Sequence, residues 1–385
     1  MEFDFSTAGR IVFGAGALAR LAALAAPLGR RALLVTGERS ADESGVADSV
    51  GAAIAVAARA RCAGEPSVAD VDRAVAAARA ERCDFVVAVG GGSALDCGKA
   101  AAGMLTNPGS LEDYLEGVGK GLVLARPPVP LIAVPTTAGT GSEATKNAVV
   151  SGPGYKKSIR SPLLLPTVAL VDPDLLASVP RPVRAACGLD ALTQVLEPTL
   201  SRNAGPLTDA LSLTGIRAAA RALPAYVADP ADAAARAGMA LASLLGGISL
   251  ANAGLGAVHG FASPLGAQFP IPHGVACGTM LAAVVETNLA AARGTPAEER
   301  VASRFAAAAE ALLDRRFADR AAALRAGLAR LHALQAELGV PRLAALGVRD
   351  EHLPAIVAGA RGSSMRTNPV NLTDAELTAA LRRAM

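Results

Sequence analysis

The chain has little of what marks membrane, nucleic-acid-binding or disulfide-stabilised proteins. Its net charge is only +3 over 385 residues, and it has no basic run that would follow a nucleic-acid backbone. No apolar stretch reaches the roughly 20 residues of a membrane helix without a charge or a glycine-rich break. The five cysteines include no C-x-x-C pair, and their odd number argues against a disulfide framework. We therefore expect neither a nucleic-acid nor a membrane partner.

The start of the chain and its composition favour a globular cytoplasmic protein. Met1–Phe5 is acidic and lacks the basic-then-apolar layout of a signal peptide. Apolar residues make up 52% of the chain and charged residues 18%, a balance typical of a core-rich rather than a disordered protein. The length is sufficient for two domains, each with a full core.

The two halves of the chain differ in their hydrophobic pattern. Before about residue 180, short apolar runs alternate with alanine-rich helical stretches, and we predict strands at 32–36, 85–89, 131–134 and 168–171 and a helix at 68–82. Such alternation predicts a mostly parallel α/β sheet. After Arg184, segments with helical period dominate, including 206–223, 231–250 and 300–338. We predict an α/β domain over residues 1–180 and an all-α domain over residues 181–385.

A glycine turn follows one of these strands. Residues 90–99, GGGSALDCGK, come directly after the apolar run FVVAV. A strand, a glycine turn and a helix N-terminus together suit phosphate, because glycine lets the backbone approach and free N–H groups meet the anion. The spacing is neither that of a Walker loop nor G-x-G-x-x-G. A glycine turn before a helix is also often only a tight turn.

A second loop, PTTAGTGSEAT at residues 135–145, follows the apolar strand LIAV. It is dense in hydroxyls and glycines, which suit a pyrophosphate or a ribose. The alternative is a loop that only caps its own helix. Because parallel strands end at one edge of a sheet, we expect the two loops to converge on one ligand.

The chain closely resembles the iron-containing (group III) alcohol dehydrogenases. The resemblance rests on these two loops, the segment LDALT at 189–193, His259 and the PHG triplet at 272–274. The resemblance extends from residue 10 to Pro369 and implies a dehydroquinate synthase-like architecture. It implies hydride transfer between NAD or NADP and a small-molecule alcohol, aldehyde or ketone, with the substrate oxygen polarised by Fe²⁺ or Zn²⁺. We also expect a homodimer or a larger homo-oligomer.

The resemblance assigns cofactor-binding residues to both loops. It places the pyrophosphate on Gly91, Gly92 and Ser93, the ribose and nicotinamide on Thr136, Thr137, Thr140, Ser142 and Asn147, and puts Asp96, Lys99 and Lys156 around the cofactor.

The adenine-ribose end departs from the family. Many members carry an aspartate after a strand-ending threonine, where it would repel a 2′-phosphate, but Gly37 follows Thr36 here. We therefore predict that NADP(H) is accepted, with Arg39 and Ser40 as candidate phosphate partners. Glu38 argues the other way, and Gly37 could simply make the turn.

A candidate metal site lies in the second half. We predict that a helix begins at Gly188, on which Asp190 and Gln194 are one turn apart and share a face. Only four histidines are present, and His259 and His273 are each followed by glycine. One carboxylate and two imidazoles would make a divalent-metal site with an open position. Asp190 could instead be a charge near a helix N-terminus.

The resemblance carries the family's four metal ligands onto Asp190, Gln194, His259 and His273, and Asp190, His259 and His273 would act in catalysis through the metal. Gln194 is a departure, because the family has a histidine there. Its amide is a neutral, harder donor and should weaken the affinity for Zn²⁺ or Fe²⁺. Ser263 also stands where many members have a histidine near the nicotinamide.

The weakened ligand set leaves three alternatives open. The first is a metal-free keto-acid reductase resembling the maleylacetate reductases. The second is a lyase resembling the dehydroquinate synthases, against which the intact PTTAGTGSEAT motif argues. The third is a nucleotide-binding protein without catalysis.

Overall fold

The computed structural model describes residues 3–385. Met1 and Glu2, on which the expectation about a signal peptide partly depends, lie outside the described residues. The described chain divides into two compact units, Ser6–Val179 and Pro180–Met385, and residues 3–5 belong to the second.

A parallel sheet forms the centre of the first unit. Its strands and those of a separate hairpin are β1 Arg10–Phe13, β2 Ala32–Gly37, β3 Val56–Cys62, β4 Phe85–Gly90, β5 Leu131–Pro135, β6 Asn147–Gly152, β7 Tyr155–Arg160 and β8 Val168–Val171. Within the described residues the sheet has six strands in the order β1-β8-β5-β4-β2-β3, all paired in parallel. β6 and β7 pair antiparallel as the hairpin. The four strands expected from the sequence are all present and are buried, as parallel strands covered on both faces must be.

Helices cover the two faces of this sheet with separate apolar clusters. They are α1 Leu21–Ala25, α2 Ser40–Glu43, α3 Val46–Ala53, α4 Val68–Ala80 and α5 Gly92–Thr106. α4 begins where the sequence predicts, because Ser67 and Asp70 form a capping box at its start.

The second unit has helices and no strand among its described residues. Its helices are α6 Arg181–Leu200, α7 Pro206–Ala228, α8 Ala233–Ala253, α9 Ala257–Gln268, α10 His273–Ala292, α11 Glu298–Leu313, α12 Arg320–Glu337, α13 Leu353–Gly359 and α14 Asp374–Ala384. The segment 300–338, which has helical period in the sequence, contains two helices, because Asp314 takes a left-handed conformation after α11 and Asp319 caps the start of α12.

The expected start of a helix at Gly188 is wrong. α6 already begins at Arg181, because Pro182 falls in the first turn, where the missing N–H of proline costs no hydrogen bond. Asp190 therefore lies in the interior of α6 and is buried. It is not a charge at a helix N-terminus.

Two helices of this unit, α8 and α10, are long and apolar enough to cross a membrane by length and composition alone. Each carries one charged residue, Arg236 in α8 and Glu286 in α10. Their apolar windows are 67% and 72% buried inside the fold. These helices are packed as part of the protein core.

Candidate functional site

In the first unit, three loops meet at the carboxyl edge of the sheet. β2, β4 and β5 are neighbours, with Thr36 beside Val89 and Gly90 beside Pro135. The Thr136 N–H donates to the Gly90 carbonyl oxygen at 2.9 Å. The glycine turn and the threonine–glycine loop thus converge, as expected for neighbouring parallel strands.

The glycine turn packs directly against the threonines of the second loop. A Cβ added at Gly91 would lie 3.2 Å from Thr137 Oγ1, and one at Gly92 would lie 2.7 Å from Thr140 Cγ2. Gly91 is the N-cap of α5, and no side chain of the described residues caps this helix. Its first N–H groups, including that of Ser93, are therefore available to an anion.

Asp96 and Ser142 join α5 to the threonine–glycine loop. Ser142 Oγ donates to Asp96 Oδ1 at 2.5 Å, and the Val149 N–H donates to Asp96 Oδ2 at 2.9 Å. Both oxygens of the carboxylate are thus bonded within the protein. These two residues hold the shape of the loop.

The Lys99 ammonium is also used inside the protein. Its side chain has no exposed surface, and Nζ donates to Ser142 O at 2.9 Å, Thr145 Oγ1 at 2.9 Å and Asn147 O at 2.5 Å. Burial lowers the pKa of Lys99, and Asp96, 3.1 Å away, opposes that shift. All three ammonium protons thus have acceptors within the protein, and Lys99 holds the threonine–glycine loop in place. The position of Lys99 beside the cofactor stays a prediction.

The remaining residues of this candidate site lie around the same edge. Asn147 begins β6, and its buried Oδ1 has no hydrogen-bond partner among the described residues. Lys156 of β7 forms an ion pair with Glu65. Gly37 ends β2, and its backbone nitrogen would lie 3.5 Å from a Cβ added at Gly90.

In the second unit, Asp190, His259 and His273 come together from α6, α9 and α10. Asp190 Oδ1 lies 3.3 Å from His259 Nε2 and 3.7 Å from His273 Nε2. The Asp190 and His259 side chains are 4% and 6% exposed, whereas His273 is 35% exposed. The cluster is therefore buried on one side and open at His273.

A fourth donor, Cys277, belongs to this cluster and was missed from the sequence. Its Sγ lies 3.7 Å from His273 Nε2. One donor atom from each of Asp190, His259, His273 and Cys277 lies within 4.8 Å of the others. The available signal was its spacing, because His273 and Cys277 are one turn apart on α10 and share a face.

Glu197, also missed, orients His259. The His259 Nδ1–H donates to Glu197 Oε2 at 2.6 Å, and the Val258 N–H donates to Glu197 Oε1 at 2.7 Å. A carboxylate on one ring nitrogen is the usual outer partner of a metal-binding histidine and leaves the other nitrogen for the metal. Gly256 permits the approach, since a Cβ there would lie 2.8 Å from Glu197 Oε1.

The donor set fits a divalent metal. Asp190 Oδ1 and His259 Nε2 are buried and have no hydrogen-bond partner among the described residues, a costly arrangement that a cation between them would relieve. Burial raises the pKa of Asp190, but the positive charges of His273 and His259 outweigh it and hold that pKa below its ordinary value. Burial lowers the pKa of His259, but its interactions with Cys277 and its hydrogen bonds with Asp190 and Glu197 outweigh it and raise that pKa well above normal. Carboxylate, imidazole and thiolate are donors that Zn²⁺ and Fe²⁺ accept.

Gln194 and Ser263 lie one turn after Asp190 and His259 on their helices. Gln194 is buried, at 4% exposed, and packs close to Gly246 of α8, where an added Cβ would lie 3.1 Å from Gln194 Cβ. Ser263 is exposed. Neither position supplies an imidazole.

Comparison with known proteins identifies the family. The sequence profile described as "Iron-containing alcohol dehydrogenase" matches residues 8–173, and that described as "Fe-containing alcohol dehydrogenase family, C-terminal" matches residues 184–385. The chain belongs to the iron-containing alcohol dehydrogenase family. It is an oxidoreductase of the alcohol dehydrogenase class.

Individual relatives agree over most of their length. "Probable alcohol dehydrogenase EutG" of Salmonella typhimurium is 39% identical over 318 residues, 82% of this chain and 76% of the relative. A crystal structure of 1,3-propanediol oxidoreductase superposes with a TM-score of 0.90 at 33% identity, covering 100% of both chains. Sulfoacetaldehyde reductase from Bifidobacterium kashiwanohense, solved in complex with NAD⁺, superposes with a TM-score of 0.88 at 30% identity over 100% of this chain and 99% of that one.

Proposed function

We propose that this alcohol dehydrogenase transfers hydride reversibly between NAD(P)(H) and a small alcohol, aldehyde or ketone, with Fe²⁺ or Zn²⁺ held by Asp190, His259 and His273. The observation that carries the proposal is the buried cluster of these three side chains. Two of its donor atoms, Asp190 Oδ1 and His259 Nε2, have no other partner among the described residues. In this proposal residues 1–180 bind the cofactor and residues 181–385 bind the metal and the substrate.

The residues of the metal site have separate tasks. Glu197 accepts the His259 Nδ1–H, so that Nε2, next to Asp190, is the ring nitrogen left for a metal. His273 is the most exposed of the three ligands, and this leaves its side of the site open to a small molecule. A divalent metal bound there would polarise the substrate oxygen and stabilise the negative charge that develops on it as hydride leaves the carbon.

The cofactor side is built from the three loops at the sheet edge. Gly91, Gly92 and Ser93 present the N–H groups of α5 to the pyrophosphate. The hydroxyls of Thr136, Thr137 and Thr140 and the amide of Asn147 would hold the ribose and the nicotinamide. Lys99, Asp96 and Ser142 keep these loops in place from inside the protein.

The preference between NADH and NADPH should depend on the residues at the end of β2. Without a carboxylate at Gly37, nothing at that position repels a 2′-phosphate, and we propose that NADPH is used as well as NADH. Arg39 is exposed beside it and is a candidate phosphate partner. A homodimer or larger assembly and a cytoplasmic location also stay predictions, which light scattering and cell fractionation would test.

The test combines metal analysis with turnover. Elemental analysis of wild type, His259→Ala and His273→Ala should show one divalent metal per chain only in wild type, with His332→Ala as a histidine control outside the cluster. Reduction of a panel of aldehydes and keto acids by NADH and NADPH should be lost with chelator and restored by metal. Full activity in metal-free protein would contradict the proposal and favour a metal-independent keto-acid reductase.

A further inference from the structure

We propose that Cys277 is a direct ligand of the metal and completes the donor set at the position where Gln194 leaves the family's imidazole missing. The inference rests on the proposed metal site, and it makes that site selective for Zn²⁺ over Fe²⁺. It adds a ligand that neither the family resemblance nor the names of the relatives provides.

The distances between donor atoms match a tetrahedral site. With Zn–N and Zn–O bonds of about 2.0–2.1 Å and a Zn–S bond of about 2.3 Å, nitrogen and oxygen donors of a tetrahedron lie about 3.3–3.4 Å apart, and either lies about 3.5–3.6 Å from the sulfur. Asp190 Oδ1 lies 3.3 Å from His259 Nε2 and 3.7 Å from His273 Nε2. Cys277 Sγ lies 3.7 Å from His273 Nε2. These three distances are close to those of ligands around one ion, and the four donor atoms all lie within 4.8 Å of one another. A substrate oxygen would then be a fifth ligand, an expansion that catalytic zinc sites allow.

The surroundings of Cys277 differ from those of a cysteine that only fills space. Buried cysteines usually behave as small apolar side chains, as Cys62 and Cys97 do within the apolar cluster of the first unit. Cys277 is equally buried, but its thiol lies among a carboxylate and two imidazoles. Two of those neighbours, Asp190 Oδ1 and His259 Nε2, are without hydrogen-bond partners in the described chain. The geometry thus points to a shared ligand.

Charge and softness decide which metal the site prefers. On binding, the Cys277 thiol loses its proton to solvent, so the thiolate and the Asp190 carboxylate together balance a divalent ion. If a histidine at position 194 bound the metal in place of the thiolate, the divalent ion and its ligands together would keep one positive charge. Thiolate is a soft donor, and Zn²⁺ stands above Fe²⁺ in affinity for such ligands. The replacement of one imidazole by a thiolate therefore moves the preference toward Zn²⁺.

Cobalt substitution tests the ligand directly. Metal-free wild type, Cys277→Ser and Cys277→Ala are titrated with Co²⁺, and the near-ultraviolet absorption is recorded for thiolate-to-cobalt charge transfer. Cys187→Ser, on α6 and outside the cluster, is the matched control. We expect the charge-transfer band in wild type and in Cys187→Ser and its loss in both Cys277 variants. Competition with a chromophoric chelator should show that zinc affinity in Cys277→Ser falls by more than the roughly 10- to 100-fold that loss of an outer partner costs.

The outcomes separate this inference from the proposed function. If wild type binds Co²⁺, His259→Ala does not, and no charge-transfer band appears, Cys277 is not a ligand while the metal site stands. Zinc affinity unchanged in a folded Cys277→Ser would likewise overturn the inference alone. If wild type binds no divalent metal, both the inference and the proposed metal site fail. A larger fall in zinc than in iron affinity on Cys277→Ser would support the stated selectivity.

Discussion

Replacing Glu197 with glutamine tests how the protein prepares His259 for a metal. Glu197 accepts hydrogen bonds from the His259 Nδ1–H at 2.6 Å and from the Val258 N–H at 2.7 Å. Glutamine has the same shape, but one of its two terminal atoms is a donor. If its oxygen stays on the Val258 N–H, its NH₂ faces His259 Nδ1. The ring proton must then move to Nε2, the atom that faces Asp190.

The expected loss of metal affinity in Glu197→Gln follows from the tautomer that has the ring proton on His259 Nε2. A proton on His259 Nε2 has to leave before the nitrogen can bind a metal, and the anionic partner that raises its basicity is gone. Loss of such a partner costs about 10- to 100-fold in metal affinity, or about 1.4–2.7 kcal/mol. The opposite orientation of the amide would set its NH₂ against the Val258 N–H, and the buried unsatisfied donor would cost about 1–3 kcal/mol of unfolding free energy.

The assay measures both quantities. Zinc affinity is obtained by competition with a chromophoric chelator, and the free energy of unfolding of the metal-free protein is obtained with urea. Glu286→Gln is the matched control, because Glu286 Oε1 lies 2.7 Å from His332 Nε2, away from the cluster, and its zinc affinity should equal that of wild type. Glu197→Gln should bind zinc at least about tenfold more weakly. Unchanged zinc affinity together with unchanged unfolding free energy would refute the role assigned to Glu197.

Three further predictions concern the first unit. Gly91→Val should fold, because the Gly91 backbone is extended at φ −73° and ψ −176°. The methyl groups of the valine should lower the NADH affinity measured by calorimetry by more than about tenfold, or ~1.4 kcal/mol. An unchanged affinity would contradict the assignment of the pyrophosphate to this turn. Gly37→Asp should shift the ratio of kcat/KM values toward NADH while Gly37→Asn does not, since only a carboxylate repels a 2′-phosphate; equal ratios in the two variants contradict this. Burial raises the pKa of Glu143 from 4.5 to about 7, so its contribution to stability is present below pH 4.5 and is lost as the pH rises through about 7. The unfolding temperature of Glu143→Gln should therefore rise relative to that of wild type as the pH increases from about 5 to 8. A constant difference in unfolding temperature between the two proteins over this range would contradict the prediction.

The centre of the fold could be predicted because its signals are local. β4 and β5 are uninterrupted apolar runs ended by a glycine turn or a proline, and two neighbouring parallel strands necessarily bring their loops together. β1 and β3 were missed because they lie at the edges of the sheet, where arginines such as Arg10, Arg59 and Arg61 interrupt the apolar run. The β6–β7 hairpin is likewise too polar to read as a strand pair.

The start of α6 could not be read correctly from its prolines. The sequence predicts a helix start at Gly188, and prolines at 180 and 182 do not announce an earlier one, because proline breaks a helix interior. In the first turn the same residue is tolerated, and α6 gains two turns before Asp190. The position of Asp190 within α6 determines the role of its carboxylate. At a helix start it would face a positive dipole, whereas in the buried interior of α6 it needs a cationic partner.

Residues that support a metal could have been sought as helical neighbours of the expected ligands. Asp190 and Glu197 are seven residues apart on α6, and His273 and Cys277 are four residues apart on α10; both spacings keep two side chains on one helix face. The sequence alone does not say which face of α6 or α10 meets α9, so neither pair stands out from the surrounding alanines and leucines. Once His259 fixes that face, Cys277 lies among the donors, and we propose it in place of the imidazole that is absent at Gln194. A buried site that loses a donor on one helix can regain one from another, provided that the charge of the new donor suits the ion.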